Sequence, residues 1–328
     1  MASVVVGTGF AGALHVEALR RLGIEVAAAF GSSGSYEEAL ADPAVDFVHL
    51  ATPNHLHFPQ ARSALAAGKN VVCEKPLALT SAESGELVRQ AGESGLVAAT
   101  CFNLRFYPQC QEARARAGEL GELRHVHGSY LQDWLALPTD GNWRLDPALG
   151  GELRAVGDIG SHWLDLVQHV TGRRIEAVCA DLATFFPERQ TEDAANVLLR
   201  FEVGAPGSMV VSQASTGRKN TLSFQVDASE GSLAWSSEHP DELWLGHRER
   251  ANEVLPRERG YLPPGHVEGY ADTFRHLFEA VYGGDGYPTF ADGHAAMLIG
   301  EAIADSARER RWVEVGSAPR GRATGGDR

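Results

Sequence analysis

The segment Asp158-Ile159-Gly160-Ser161-His162-Trp163-Leu164-Asp165 carries the densest chemistry in the chain. Asp158 and His162 are four residues apart and would share one face of a helix. A carboxylate beside an imidazole can manage protons near neutrality, with the histidine as carrier. Asp165, three residues further on, is placed to orient that ring. The plain alternative is a helix-capping Asp158 with a packed histidine. A second cluster, Glu74-Lys75-Pro76, follows a short apolar run, and Ala51-Thr52-Pro53-Asn54-His55 follows another. There Lys75 could donate to a substrate oxygen; the plain alternative is a solvated lysine at a turn. HExxH is absent and no Cys or His set shows ligand spacing, so no metal is expected. The other histidines, His49, His57 and His294 among them, read as packed residues by default, with His57 also kept as a cofactor-binding candidate. Trp134 and Trp143 read first as anchors, although aromatic faces beside polar groups also suit a carbohydrate.

Gly7-Thr8-Gly9-Phe10-Ala11-Gly12 sits between a predicted strand and a predicted helix. Its glycines allow a tight turn, close approach of a pyrophosphate, and close helix–strand packing. The helix N-terminus supplies free N–H groups for phosphate. The expected carboxylate about 20 residues on is missing. The second strand runs instead into Gly31-Ser32-Ser33-Gly34, and the first acid is Glu37. Ser32 and Ser33 could bond a ribose or a 2′-phosphate, and no arginine nearby marks the latter. The cofactor expectation is therefore NAD or NADP.

Elements that would position these groups are legible in the apolar pattern. Short apolar runs at 3–6, 25–30, 47–51, 70–73 and 96–102 alternate with helical patterns at 11–22, 36–40, 58–67 and 82–94, the mark of βα units on a parallel sheet. The connection from the second to the third strand is short for a full crossover helix. After about residue 103 the style changes. A helix at 109–118 leads to alternating strands at 123–131, 175–185, 196–202, 208–215, 221–227, 231–236 and 242–246, which suggest one open, mainly antiparallel sheet. Helices are expected at 158–170, 270–282 and 293–309. The fold class is thus a doubly wound α/β domain, residues 1–103, followed by an α+β domain, 104–315, and a flexible tail, 316–328.

Composition bounds the function. The chain has 328 residues, 44% hydrophobic and 22% charged, with a formal net charge of −14. That sign repels phosphate backbones and anionic lipid, so neither nucleic acid nor membrane is an expected partner. Four cysteines without pairing pattern suggest reduced thiols in the cytoplasm. The apolar start lacks the basic residues of a signal peptide.

The order of these motifs, together with Asn103-Leu104-Arg105-Phe106-Tyr107-Pro108, Phe290-Ala291-Asp292-Gly293 and Trp312-Val313-Glu314-Val315, resembles the glucose–fructose oxidoreductase / inositol dehydrogenase (Gfo/Idh/MocA) family over nearly the whole chain. Tyr130–Trp134 and Asn142-Trp143-Arg144 look most like its levoglucosan dehydrogenase branch. The resemblance implies a Rossmann domain plus a substrate domain whose open sheet mediates dimer or tetramer contacts. It also implies NAD(P)-dependent chemistry on a secondary alcohol of a sugar or cyclitol. By motif, Lys75, Asp158 and His162 would be catalytic. Gly7, Gly9, Phe10, Ala11, Gly12, Ser32, Ser33, Thr52, Pro53, Asn54, His57, Glu74 and Lys75 would bind cofactor. Asn103, Arg105, Trp143 and Arg144, with Lys75, Asp158 and His162, would bind substrate. Two other outcomes on the same scaffold are an NAD-dependent glycoside hydrolase and a non-catalytic sensor.

Overall fold

The computed structural model describes residues 1–31 and 36–316. Ser32, Ser33 and all but the first residue of the 316–328 tail lie outside them.

Five parallel strands build the first sheet: β1 (Ala2–Val6), β2 (Glu25–Phe30), β3 (Val45–Leu50), β4 (Asn70–Cys73) and β5 (Ala98–Thr100), in the order β2-β1-β3-β4-β5. Helices α1 (Phe10–Arg21), α2 (Tyr36–Ala41), α3 (His57–Ala66) and α4 (Ser81–Ser94) connect them. The order reverses between β1 and β3, which opens a crevice at their carboxyl ends where such sheets take ligands. All of β1 is buried, as a strand between helix layers must be. On β2, by contrast, Glu25, Ala27 and Ala29 are exposed. At the sheet edge, the short α2 leaves these residues uncovered.

Among the described residues the second sheet has nine strands. They are β6 (Leu123–Leu131), β7 (Ile175–Ala183), β8 (Ala194–Phe201), β9 (Pro206–Ser212), β10 (Thr221–Ala228), β11 (Gly231–Ser236), β12 (Glu242–His247), β13 (Glu253–Pro256) and β14 (Val313–Glu314). Their order is β13-β12-β11-β10-β6-β9-β8-β7-β14, antiparallel throughout except for the central β6–β9 pair, which is parallel. Helices α5 (Pro108–Ala117), α6 (Pro147–Gly150), α7 (Ser161–Thr171), α8 (Tyr270–Gly283) and α9 (Phe290–Glu309) complete the chain. Trp163, Leu166 and Val167 of α7 pack among Val126, Val197 and Phe224 on the sheet's inner face. The C-terminal helices return to the first sheet. Phe274, Leu277, Phe278 and Val281 of α8 pack on Val5, Phe47 and Val72, and Phe290 of α9 joins the core on the sheet's other face. No helix among the described residues is long and apolar enough to cross a membrane.

Candidate functional site

At the crevice, the glycine loop is built for close approach. Gly7 has φ +103°, and a Cβ there would collide with the Ala51 carbonyl at the end of β3. A Cβ on Gly12 would collide with the carbonyl of Gly7, so the helix can start this close to the strand only with glycine. Gly9 caps α1 without a side-chain hydrogen bond, which leaves the first N–H groups of the helix free for an anion. Gly7, Thr8, Gly12 and Ala13 line an open groove that continues to Arg20 and Arg21. Phe10 is 75% exposed at the rim and stacks on Tyr270 of α8 at 6.2 Å. These residues fit a dinucleotide pyrophosphate.

The loops after β3 and β4 are tied to each other and to the second half of the chain. Thr52 Oγ1 donates to Gln60 at 2.7 Å, and the buried Asn54 amide donates to the Gly150 carbonyl at 2.8 Å. Pro53 opens the single turn that carries Asn54. His57 places one ring nitrogen 2.7 Å from the Pro76 carbonyl and the other 2.8 Å from that of Thr52. Both nitrogens face protein carbonyls, so His57 clamps the two loops together and has no ring nitrogen left for cofactor. Burial lowers its pKa, against the pull of the two carbonyls.

Lys75 follows β4 and reaches across to the second domain. Its Nζ donates to Asp158 Oδ1 at 2.8 Å and to the Asp158 carbonyl at 2.6 Å. The same carboxylate lies 3.3 Å from Arg144 Nε and accepts from Gln213 Nε2 at 2.8 Å. Burial opposes ionisation of Asp158, but Lys75 and Arg144 outweigh it and hold the carboxyl well below its usual range. Trp143 stacks on the Arg144 guanidinium at 4.3 Å.

Asp158 is not on an α-helix. It lies in a π-helical turn, Val156–Gly160, and α7 begins only at Ser161. The wider turn breaks the simple four-residue relation, and among the described residues no side-chain hydrogen bond joins Asp158 to His162. His162 is 4% exposed, and its Nδ1 is buried without a hydrogen-bond partner. Burial first, then the nearby Lys75, push its pKa down to about 3, so the ring is neutral at physiological pH. A neutral imidazole with one unpartnered nitrogen beside a lysine–aspartate pair can accept a proton or bond a hydroxyl.

Three expectations are corrected here. Asp165 does not orient His162, because both its oxygens accept from Arg105, at 2.7 and 2.5 Å. Arg105 also bonds Asp292 at 2.8 Å, so its guanidinium joins α7 to the start of α9 and does not line a substrate site. Asn103 is buried and donates to Thr273 at 2.8 Å, a link to α8. The sequence reading missed Gln213, which has no exposed surface and accepts from Arg154 at 2.9 Å. Arg154 in turn pairs with Asp193, so a buried ionic network steadies the far side of Asp158. Only the order of three distant segments reveals that network.

Residues 22–102 match the oxidoreductase family with an NAD-binding Rossmann fold, and residues 111–234 match the GFO/IDH/MocA C-terminal domain. A levoglucosan dehydrogenase of Pseudarthrobacter phenanthrenivorans is 31% identical, over 92% of this chain and 87% of that protein. A levoglucosan dehydrogenase solved with NADH and L-sorbose superposes with a TM-score of 0.86 at 30% identity, covering 96% of this chain and 99% of that one. An inositol dehydrogenase homologue from Azotobacter vinelandii, solved with NAD+, gives 0.88 at 27% identity, with 96% and 97% covered.

Proposed function

Because the chain belongs to the GFO/IDH/MocA family of NAD-binding oxidoreductases, we propose that it transfers a hydride between nicotinamide and a secondary hydroxyl of a sugar, anhydrosugar or cyclitol. The observation that carries this reading is the Lys75–Asp158 pair beside the unpartnered Nδ1 of His162, at the carboxyl ends of the first sheet's strands. Bound nicotinamide would supply the hydride acceptor at its C4. The protein's part is orientation and proton management. Lys75 donates to the reacting oxygen and steadies negative charge there, while Asp158 holds a neighbouring hydroxyl. His162 takes the hydroxyl proton as the C–H bond is broken. Trp143 and Arg144 offer an aromatic face and a donor to the sugar ring, and Gly7, Gly9, Ala11 and Gly12 receive the pyrophosphate. Thr52, Pro53, Asn54 and Glu74 form the wall on the nicotinamide side.

Residues 1–103 act in this reading as the dinucleotide-binding unit and 104–315 as the unit for substrate and assembly. The outer face of the second sheet exposes Leu198, Val210 and Val254, which supports a homodimer or homotetramer formed through it. The absence of a membrane-crossing helix among the described residues and the buried free thiols Cys73, Cys101 and Cys110 are consistent with a cytoplasmic setting.

Titration of the protein with NADH and with NADPH, read by energy transfer from its six tryptophans, tests the cofactor half of this reading. Saturable binding of one or both is expected. Binding of neither would contradict it.

A further inference from the structure

Below the catalytic pocket, a line of polar side chains crosses an otherwise apolar layer. Glu74 Oε1 lies 3.2 Å from His15 Nε2, and His15 Nδ1 lies 3.0 Å from His49 Nδ1. His49 Nε2 is 2.9 Å from the Tyr282 hydroxyl, which is 2.5 Å from Ser3 Oγ. The four links join the carboxyl end of β4, helix α1, strand β3, helix α8 and the amino end of β1. His15, His49 and Ser3 have no exposed surface, and they sit among Val5, Leu19, Phe47, Phe274 and Phe278. Burying three polar side chains in such a layer is costly unless each is bonded. Here each is bonded to the next in line, and His15 Nε2 also lies 3.7 Å from Cys101 Sγ.

The protons can be assigned. An ionised carboxylate only accepts, so His15 Nε2 must donate to Glu74. In the arrangement with one proton on each ring, His15 Nδ1 accepts, and His49 donates to it from Nδ1. His49 Nε2 then accepts from the Tyr282 hydroxyl, which accepts from Ser3. Every donor points toward Glu74. The other Glu74 oxygen accepts from the backbone N–H of Lys75 at 3.2 Å. Thus both carboxylate oxygens are engaged, and the side chain is fixed in direction immediately before the lysine of the catalytic pair.

We propose that His15, His49 and Tyr282 are positioning residues which hold Glu74 ionised and aimed beside Lys75, so that its negative charge favours the cationic, oxidised nicotinamide over the neutral, reduced one. This rests on the dehydrogenase reading above and extends it to residues outside the pocket. The charged and titratable groups facing Glu74 are His15 from α1, Cys73 at the end of β4, Lys75 on its own loop, His57 from α3, Cys101 after β5, His162 from α7 and Tyr270 from α8. Burial works to neutralise Glu74; the hydrogen bond from His15 and the charge of Lys75 overcome it and hold the carboxyl at about 2. Removing the His15 donor takes away the largest of those favourable influences.

The test measures the affinities of NAD+ and NADH for the intact protein and its variants between pH 5 and 8. In the native protein the ratio of the two affinities is expected to stay level, because Glu74 does not titrate there. In His15→Leu, NAD+ binding should weaken about tenfold more than NADH binding at the acid end, as one nearby charge is lost. That loss should recover as pH rises. His15→Gln, which keeps an N–H donor, should restore most of the ratio. Tyr282→Phe, a conservative change at the partly exposed end of the line, should shift it two- to threefold in the same direction. Glu74→Gln serves as the reference for complete loss of charge. A ratio that moves in Glu74→Gln but stays native in His15→Leu and Tyr282→Phe overturns the positioning role and leaves the dehydrogenase reading intact. Failure of the native protein to bind either form overturns both.

Discussion

Two carboxylates seven residues apart in the same helical segment have opposite tasks. Asp158 receives Lys75 from the loop after β4, together with Arg144 and Gln213. Asp165 is closed off by Arg105, which Asp292 also holds. Both are acidic, largely buried and paired with a base. The difference lies in what remains free: around Asp158 stand a neutral His162 with an unpartnered nitrogen and an open crevice, whereas Asp165 has both oxygens occupied by one guanidinium. A buried ion pair marks a functional site only where its surroundings leave atoms available to a ligand.

The largest expected effect comes from the open side. Lys75→Ala should lower kcat by about three orders of magnitude, the scale for removing a charged group from a reacting oxygen. NADH affinity, read by energy transfer, should stay within a few-fold. On the closed side, Arg105→Met should cost about 3–5 kcal/mol in denaturant unfolding, because it leaves a buried carboxylate unpaired. The kcat of its folded fraction should change little. If Arg105→Met instead abolished turnover without loss of stability, the two carboxylates would not divide as described.

Acid should separate them further. The folded-state pKa of His162 lies at about 3, below its unfolded value near 6.5. Between those values the unfolded chain binds more protons, so stability falls as pH falls through this window. From pH 7 to 5 the contribution is about 2 kcal/mol, and His162→Gln should flatten the curve by about that much. An unchanged slope in the variant would mean that His162 is already charged when folded. The smallest effect concerns the sugar face. Trp143→Ala should raise KM for substrate about tenfold with kcat within threefold, the pattern for lost uniform binding.

Much of this was legible in the sequence because it depends on local pattern. Gly7 to Gly12, the alternating βα runs, and the strands 123–131 and 231–236 follow from short-range sterics and burial, and they stand where expected. The clusters at Lys75 and at Asp158–His162 do meet, although 83 residues separate Lys75 from Asp158. What the pattern could not convey was partner choice. Asp165 and Arg105 each looked available for chemistry until the fold brought them together. Likewise His15 and His49 read as ordinary packed residues, because only the sheet register and α8 align them with Glu74 and Tyr282. The π-helical turn at Val156–Gly160 was hidden as well, since its sequence satisfies an α-helix equally well.

The most direct test follows the absorbance of reduced nicotinamide while native protein and Lys75→Ala are each supplied with NAD+ and a panel that includes levoglucosan and myo-inositol. The account predicts NADH formation by the native protein with at least one cyclic polyol, and almost none by the variant although it still binds NADH. Equal rates in the two proteins would contradict the central role given to Lys75 and its pairing with Asp158.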